Sequence, residues 1–290
     1  MGTSALNGPW PAPAKLNLFL HVTGRRADGY HTLQTVFQFL DHGDRLRFEL
    51  RDDARIARAA PVAQVPEEED LTLRAARLLA RRTGCRRGAT VQLEKRLPVG
   101  GGLGGGSSDA ATVLVALNRL WGAGLSIDEL AALGAQLGAD VPVFVRGRAA
   151  WAEGVGEVLT PVDLPEPWYV VLVPGVRVST AEVFAEYAGS RPKGDLTAYS
   201  APIRIRDFRA GRAVNDLEAL VRRRYPPVDR AFTWLSRYGD ARLTGTGACV
   251  FAEMPERDEA QAVLAGLPPD LTGFAARGRN RSALLDAAAK

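Results

Sequence analysis

The stretch RLPVGGGLGGGSSDAATVLVALNRLWG, residues 96–122, joins a glycine run to an apolar pattern and decides the fold class. Six of the seven residues between 100 and 106 are glycine. Downstream, apolar residues recur at spacings of three and four, which predicts an amphipathic helix. Ser107 and Ser108 are predicted as its N-caps, with Asp109 in the first turn and Gly122 as its stop. Upstream, residues 89–97 alternate apolar and polar side chains and predict a strand.

This order of strand, glycine loop and helix favours a phosphate-binding site. A helix N-terminus presents unpaired N–H groups and partial positive charge, which suit an anion. Glycine lets the backbone come close to that anion. The alternative is a flexible connector, but a connector would rarely lead into so well capped a helix.

Two familiar phosphate-loop patterns fit this segment poorly. Gly100, Gly102 and Gly105 satisfy G-x-G-x-x-G, but the acid required about 20 residues later would fall in a turn between two helices. The Walker pattern requires lysine after the last glycine, whereas Gly106 is followed by two serines. The positive charge that a phosphate needs must therefore come from another part of the chain.

Composition predicts an ordinary globular protein. The chain has 290 residues, 46% hydrophobic and 24% charged, enough for one large domain or two smaller ones. It shows neither a membrane-length apolar run nor a signal-peptide layout, so a cytoplasmic location is predicted. Cys85 and Cys249 lie far apart and are predicted to be free thiols. The histidines lack the spacing of a zinc site.

The net charge of +4 is compatible with two kinds of partner. Most arginines stand beside acids or on predicted helix faces and are interpreted as solvated surface. A small substrate that carries phosphate suits a mildly basic protein, and nucleic acid is the less favoured partner. A monomer or weak dimer is expected.

The segment AKLNLFLHV, residues 14–22, alternates strictly and predicts a strand near the N-terminus. One predicted face carries Leu16, Leu18, Leu20 and Val22, and the other carries Lys15, Asn17, Phe19 and His21. A lysine and an asparagine two residues apart can both point at a ligand. The alternative is that this second face is simply wet. Two separate strands are predicted next, at 32–40 and 44–50.

The segment SIDELAALGAQLG, residues 126–138, predicts a helix that opens with a capping box of Ser126 and Glu129. Residues 139–147 are predicted to lead into a strand, because Val141 precedes Pro142 and is pushed toward extended geometry. Asp140 would then lie in a bend, where capping or turn formation is its ordinary role. A phosphoryl-transfer enzyme, however, needs a carboxylate that receives the proton of the acceptor hydroxyl.

The remaining pattern predicts a two-domain α+β protein, since strands and helices mix without regular β-α alternation. The proline-rich segment at 162–168 is interpreted as the boundary between domains 1–163 and 164–290. The G-T-G turn at 245–247 is by default a tight hairpin and by hypothesis a ligand contact.

Four segments together resemble the GHMP small-molecule kinase superfamily: 13–46, 97–122, 137–157 and 242–253. The resemblance runs in order from about Pro13 to Gly278. It implies a two-domain GHMP kinase fold, with an N-terminal ATP domain that is ribosomal-protein-S5-like and a C-terminal ferredoxin-like domain. ADGYH (27–31) and GADVPVF (138–144) are similar to the branch that acts on a CDP-linked methylerythritol. Its reaction uses ATP and Mg²⁺ to phosphorylate the 2-hydroxyl, a step of non-mevalonate isoprenoid synthesis.

The resemblance also implies roles for individual residues. Lys15 and Asp140 match the catalytic pair. The ATP phosphate loop matches Pro98, Val99, Gly100, Gly101, Gly102, Leu103, Gly104, Gly105, Gly106, Ser107 and Ser108. The substrate-binding positions match Asn17, Tyr30, His31, Thr180 and Phe184, with cytosine between Tyr30 and Phe184 and read by His31. Asp70 stands where the family commonly has asparagine near the adenine pocket, so adenine contacts stay open, as do the Mg²⁺ ligands.

Three other functions stay open at this stage. A GHMP kinase for homoserine or mevalonate would not need a cytosine pocket. A dinucleotide-binding oxidoreductase would need a ribose-binding acid after a second strand. A nucleic-acid-binding module would show steeply salt-dependent binding.

Overall fold

Two long antiparallel strands, β1 (Asn7–Arg25) and β2 (His31–Arg51), frame the molecule. The computed structural model describes residues 7–62, 65–189, 208, 211 and 213–289. The two strands predicted at 32–40 and 44–50 are one, so that prediction is wrong. The polar segment between them stays extended because β1 pairs with it, for example Pro13 with Gly43. Tertiary pairing therefore overrides a local turn signal.

The other strands extend this pair into one mixed sheet. They are β3 (Ile56–Arg58), β4 (Gly88–Glu94), β5 (Ala150–Glu153), β6 (Val158–Pro161), β7 (Trp168–Val173), β8 (Arg242–Leu243), β9 (Val250–Met254) and β10 (Thr272–Arg279). Their order along the main path is β3-β4-β2-β10-β7-β9-β8, with β1 and β5 also paired to β2 and β6 paired to β5. The sheet thus runs through both predicted domains, whose division at residue 163 stays a prediction.

The helices cover the sheet in two groups. They are α1 (Leu71–Thr83), α2 (Gly105–Leu120), α3 (Ile127–Ala135), α4 (Val141–Arg146), α5 (Thr180–Gly189), α6 (Glu218–Arg224), α7 (Pro226–Leu235), α8 (Arg257–Ala265) and α9 (Ala283–Ala289). The first four pack with β1, β2 and β4 around one apolar core. The next four pack with β7 and β9 around a second core. A third cluster between them joins Leu16 and Leu40 to Tyr169 and Phe251.

The chain after Asp140 is the helix α4, so the predicted strand is wrong. Pro142 lies in the first turn of α4, where its missing N–H costs nothing. The following apolar residues are all buried, and a short apolar run does not by itself distinguish a buried helix from a buried strand. Asp140 consequently stands at the N-cap position of α4.

Helix α2 begins inside the glycine run, earlier than predicted. Its N-cap is Gly104, with φ of 72° and no side-chain cap, so the N-cap roles predicted for Ser107 and Ser108 are wrong. A Cβ atom on Gly104 would lie 2.7 Å from the Phe144 ring and 3.1 Å from Lys15 Cε. The loop therefore needs glycine here for close approach as well as for its positive φ. The end of α2 before Gly122 is as predicted, and Gly122 has φ of 68°.

A bulge in β1 breaks the predicted alternation of its side chains. Asn17 pairs with Phe37 but Leu20 pairs with Thr35, so two residues on β1 oppose one on β2. Leu20 consequently lines the same cavity as Lys15 and Asn17, whereas His21 contacts the Phe19 ring. The prediction that alternate residues of this strand lie on opposite faces is therefore wrong beyond Asn17.

The end of the chain returns to the first core. β10 pairs with β7 along 272–277 and with β2 at Gly278 and Arg279. Leu284 of α9 is 1% exposed and belongs to the N-terminal core. Within the described ranges, no helix has both the length and the apolar character to cross a bilayer.

Candidate active site

A cavity of about 480 Å³ lies where the two groups of elements meet. Its walls come from β1, the start of α1, the glycine loop, the start of α4, the connection between β7 and α5, and the turn at 245–247. Most of these segments contain residues singled out in the sequence analysis. The tertiary fold therefore gathers those segments around one space.

The predicted phosphate loop forms the floor of this cavity. The lining residues from it are Pro98, Val99, Gly100, Gly101, Gly102, Gly104, Gly105, Gly106 and Ser107. The side chains of Leu103 and Ser108 turn away: Leu103 packs in the core, and Ser108 Oγ donates to the Pro13 carbonyl at 2.7 Å. Because α2 starts at Gly105, its first-turn N–H groups lack intrahelical acceptors and are available to an anion.

Lys15 lies at the centre of the cavity wall and is only 3% exposed. Its ammonium donates to the Gly102 carbonyl at 2.9 Å and to Asn17 Oδ1. It also lies 3.3 Å from Asp140 Oδ2. The backbone N–H of Lys15 donates to the Leu103 carbonyl at 3.0 Å, which fixes β1 to the loop. The ammonium is thus held between the glycine loop and a carboxylate.

Asp140 lines the same cavity, and its side chain is 33% exposed. It combines access to a ligand with contact to a buried cation. Lys15 attracts this carboxylate electrostatically, because the two groups carry opposite charges and lie 3.3 Å apart. Lys15 and Asp140, which the sequence places far apart, therefore form one charged pair beside the phosphate loop.

Asn17 connects that pair to the turn after β8. Its backbone N–H donates to Thr244 Oγ1 at 3.0 Å, while its Nδ2 donates to Thr35 Oγ1 at 3.0 Å. Thr244 Oγ1 in turn donates to the Gly102 carbonyl at 3.3 Å. The side chain of Asn17 is thereby held with its Oδ1 against Lys15. Lys15 and Asn17 do not lie on a solvent-exposed strand face, since both are buried.

Asn215 is a positioning residue that sequence reasoning missed. Its buried Nδ2 donates to the carbonyls of Leu243 at 2.9 Å and Gly245 at 2.8 Å. Its Oδ1 accepts from the Leu217 N–H at 3.0 Å. The side chain therefore ties the turn at 245–247 to the start of α6. No local pattern marks it, because both its acceptors come from a segment later in the chain.

The three rings predicted to bind cytosine, those of Tyr30, His31 and Phe184, differ in packing and exposure. His31 and Phe184 stack with ring centroids 5.0 Å apart and an interplanar angle of 16°. Tyr30 is 65% exposed at the end of the turn between β1 and β2. Burial, with a smaller contribution from Arg25, lowers the pKa of His31 below 6.5. A neutral imidazole offers one donor and one acceptor to a base.

Thr180 lies at the start of α5 and lines the cavity. Its Oγ1 is 2.9 Å from Thr246 Oγ1 in the turn at 245–247. This contact joins the segment that bears Phe184 to the turn that contacts Asn17 through Thr244. The G-T-G turn is therefore part of the cavity wall, and its hairpin and ligand-contact interpretations are compatible.

A second charged cluster, also missed, lies under the start of α2. Lys95 Nζ is 2.5 Å from Asp44 Oδ2 and 2.9 Å from Asp109 Oδ2. Burial raises the pKa of Asp109, with Lys95 opposing and Asp44 adding to the rise. Burial lowers the pKa of Lys95, but the two carboxylates outweigh it and raise that pKa overall. The scarcity of lysine, four in the whole chain, was a signal that could have singled out Lys95.

Asp70 has a structural role in this chain. Its Oδ1 accepts from the Thr72 N–H at 2.9 Å and so caps α1. Its Oδ2 lies 3.4 Å from Arg58 Nη1. Asp70 also lines the cavity, together with Leu71 and Thr72. Among the described residues, no three His, Cys, Asp or Glu side chains group as a metal site.

Comparisons with known proteins show which proteins this chain is similar to. Residues 70–148 match the family model for the GHMP kinases N terminal domain, and residues 204–270 match that for GHMP kinases C terminal. The chain is 60% identical over 276 residues to 4-diphosphocytidyl-2-C-methyl-D-erythritol kinase of Alkalilimnicola ehrlichii, covering 95% of this chain and 92% of that one. It is 56% identical over 274 residues to the same-named kinase of Pseudomonas aeruginosa PAO1, covering 94% and 95%.

Solved structures give the same result. A crystal structure of 4-(cytidine 5'-diphospho)-2C-methyl-D-erythritol kinase is similar with a TM-score of 0.78 and 33% identity, covering 94% of this chain and 99% of that one. Homoserine kinase from Cytophaga hutchinsonii is similar with a TM-score of 0.68 at 15% identity, covering 97% of each chain. The second likeness shows the fold alone.

Proposed function

This chain belongs to the family of 4-diphosphocytidyl-2-C-methyl-D-erythritol kinases within the GHMP kinases, and from that membership we propose how its residues act. It is an ATP-dependent small-molecule kinase. Its reaction moves the terminal phosphoryl group of ATP to the 2-hydroxyl of 4-diphosphocytidyl-2-C-methyl-D-erythritol, releasing ADP. The product serves non-mevalonate isoprenoid synthesis.

The observation that carries the site assignment is the contact of 3.3 Å between Lys15 Nζ and Asp140 Oδ2 beside the glycine loop. Asp140 orients the acceptor hydroxyl and accepts its proton. Lys15 holds that carboxylate in place and balances charge on the migrating group. Because phosphoryl transfer has a loose transition state, positioning and neutralisation contribute more than base strength.

The glycine loop and the start of α2 hold the phosphates of ATP through backbone N–H groups. Mg²⁺ would take most of its ligands from the phosphates and from water in such a site. When bound, the ion neutralises charge on the outer phosphates. The protein's part is to fix the phosphate chain against Lys15.

Tyr30, His31 and Phe184 bind the cytosine. Tyr30 offers an exposed ring for stacking, and neutral His31 can match the donor and acceptor groups of the base edge. Binding energy gained at the cytosine then places a hydroxyl that lies far from it. Asn17 and Thr180 contact the part of the substrate between the base and the hydroxyl.

A phosphate-transfer assay tests the function. The purified chain receives ATP with the CDP-linked alcohol, the free methylerythritol, homoserine or mevalonate in parallel. We expect turnover of the CDP-linked alcohol and, for the other three, kcat/KM lower by at least 10²-fold, since they cannot use the base pocket. Preferred turnover of homoserine or mevalonate would replace this function by that of another GHMP kinase. The cytoplasmic location, the oligomeric state and the absence of nucleic-acid binding stay predictions.

A further inference from the structure

Arg177 lies on the connection between β7 and α5 and lines the cavity. Its aliphatic stem passes directly over Gly100: a Cβ atom on that glycine would lie 3.0 Å from Arg177 Cγ and 3.8 Å from Nε. Gly100 also has φ of 71°, so a side chain there would be strained as well as crowded. The glycine loop thus leaves room for this arginine from the other half of the molecule.

The other cations that line the cavity are already neutralised. Lys15 contacts Asp140, and Lys95 contacts Asp44 and Asp109. Arg177, by contrast, makes no ion pair and donates no side-chain hydrogen bond to any residue that the structure describes. Arg177 is an exposed residue, so its guanidinium group is solvated before a ligand binds.

This charge distribution matters because both substrates bring phosphate into the cavity. The glycine loop contains no lysine, so its backbone N–H groups supply partial charges only. A guanidinium group stays charged at all relevant pH values and can donate two parallel hydrogen bonds to a phosphate. Arg177 has the chemistry that the loop itself lacks.

We propose that Arg177 binds phosphate oxygens of a substrate that lies across Gly100, as a phosphate-recognition residue of this kinase. The proposal rests on the proposed function. The phosphate chain of ATP and the diphosphate of the CDP-linked substrate share this chemistry, so the experiment separates the two sources. The connection that bears Arg177 leads directly to Thr180 and Phe184, which line the same cavity.

The experiment compares the parent with Arg177→Gln and Arg177→Lys. Calorimetry measures the dissociation constants of ADP and adenosine, and of CDP and cytidine. In Arg177→Gln we expect one nucleoside diphosphate to bind about 10- to 100-fold more weakly while its nucleoside is unchanged, which is the loss expected for a hydrogen bond to a charged group. In Arg177→Lys we expect an intermediate loss, since a point charge remains. The diphosphate that weakens identifies the source, and the KM of the matching substrate should rise in parallel.

Arg237→Gln is the matched control, because it removes the same charge from an exposed arginine outside the cavity. An Arg177→Gln variant that binds both diphosphates within about twofold of this control would overturn the proposal. Binding is measured without turnover, so its result does not depend on the outcome of the kinase assay. Failure of the parent to phosphorylate the CDP-linked alcohol would refute the proposed function, whereas unchanged diphosphate binding in an active parent background would refute only the role of Arg177.

Discussion

Lys15 and Asp140 are the two single residues on which the proposed chemistry depends, and they form an ion pair in the cavity. Asp140→Asn removes the proton acceptor but keeps the size and a polar side chain. We expect kcat to fall by about 10²–10⁴ because general acid–base groups contribute in that range. ATP binding, measured by calorimetry, should change little because the glycine loop is intact.

Asp128→Asn is the control for that change, since Asp128 is 80% exposed on α3 and pairs with Arg146 at the surface. Its kcat should equal that of the parent. Near-normal turnover of Asp140→Asn would remove Asp140 from the role of base.

Tyr30 combines high exposure with a predicted role in cytosine binding. Because its ring is 65% exposed, Tyr30→Ala should leave the free energy of unfolding nearly unchanged. It should raise the KM for the CDP-linked substrate more than the KM for ATP, because only one of them contains the base. Tyr238→Ala is the control, at an exposed ring that lies tilted against Trp234. Equal changes in the two KM values would refute the cytosine assignment.

The turn at 245–247 acts at the scale of elements, since it joins β1, β8, α5 and α6 around the cavity. Asn215→Ala leaves the carbonyls of Leu243 and Gly245 without their donor. We expect a loss of about 1–3 kcal/mol of unfolding free energy for these unsatisfied groups. We also expect a lower kcat in the fraction that is folded, because the turn positions Asn17 and through it Lys15.

A second asparagine provides the comparison for this prediction. Asn118 exchanges two hydrogen bonds of 2.9 Å with the backbone of Leu125, far from the cavity. Asn118→Ala should also lower stability, measured by urea unfolding, yet keep the kcat of the parent. Equal kcat values in both variants would show that Asn215 has only a structural role.

The cluster of Lys95, Asp44 and Asp109 joins β2, the end of β4 and α2. Lys95→Met removes the cation from two buried carboxylates. In the folded variant burial holds the pKa of Asp109 above that of the unfolded chain, so protonation of Asp109 stabilises the fold at low pH and this contribution is lost as pH rises. We therefore expect a small destabilisation at pH 5 and one of about 3–5 kcal/mol at pH 8.

Urea unfolding at the two pH values measures this difference. Adding Asp109→Asn to Lys95→Met removes one of the two carboxylates and should reduce the loss at pH 8. A destabilisation that is the same at pH 5 and pH 8 would contradict the assignment of Asp109 as a buried, ionisable partner of Lys95.

At the scale of the whole molecule, the C-terminal segment connects the two halves. β10 pairs with both halves of the sheet, and α9 inserts Leu284 into the N-terminal core. Leu284→Ala should lower the unfolding free energy by about 2–5 kcal/mol, the usual cost of truncating a buried leucine. It should do so in a single transition, because the shared sheet and the middle apolar cluster couple the two halves.

Thermal unfolding followed by circular dichroism and by tryptophan fluorescence tests that expectation. Leu285→Ala, a change at a partly buried neighbour, should shift Tm much less. Two separate transitions in the parent protein would show instead that the halves unfold independently.

Local sequence patterns predicted several elements of the fold. The helices α2 and α3 and the strand β4 lie where periodicity and capping residues predicted them, because those signals come from neighbouring residues. The predictions failed at α4, in the single long strand β2 and at the bulge in β1. At these places the outcome depends on pairing with distant segments or on burial on all sides, which a local pattern does not record.

The glycine loop before α2 was also predicted from the sequence, since a run of glycines at the start of a helix favours anion binding. The tertiary structure alone brought Lys15 to Asp140, Asn215 to the turn at 245–247 and Arg177 to Gly100. The physical reason is that electrostatic and hydrogen-bond contacts act over a few ångströms of space, whereas the residues that make them are separated by long stretches of chain.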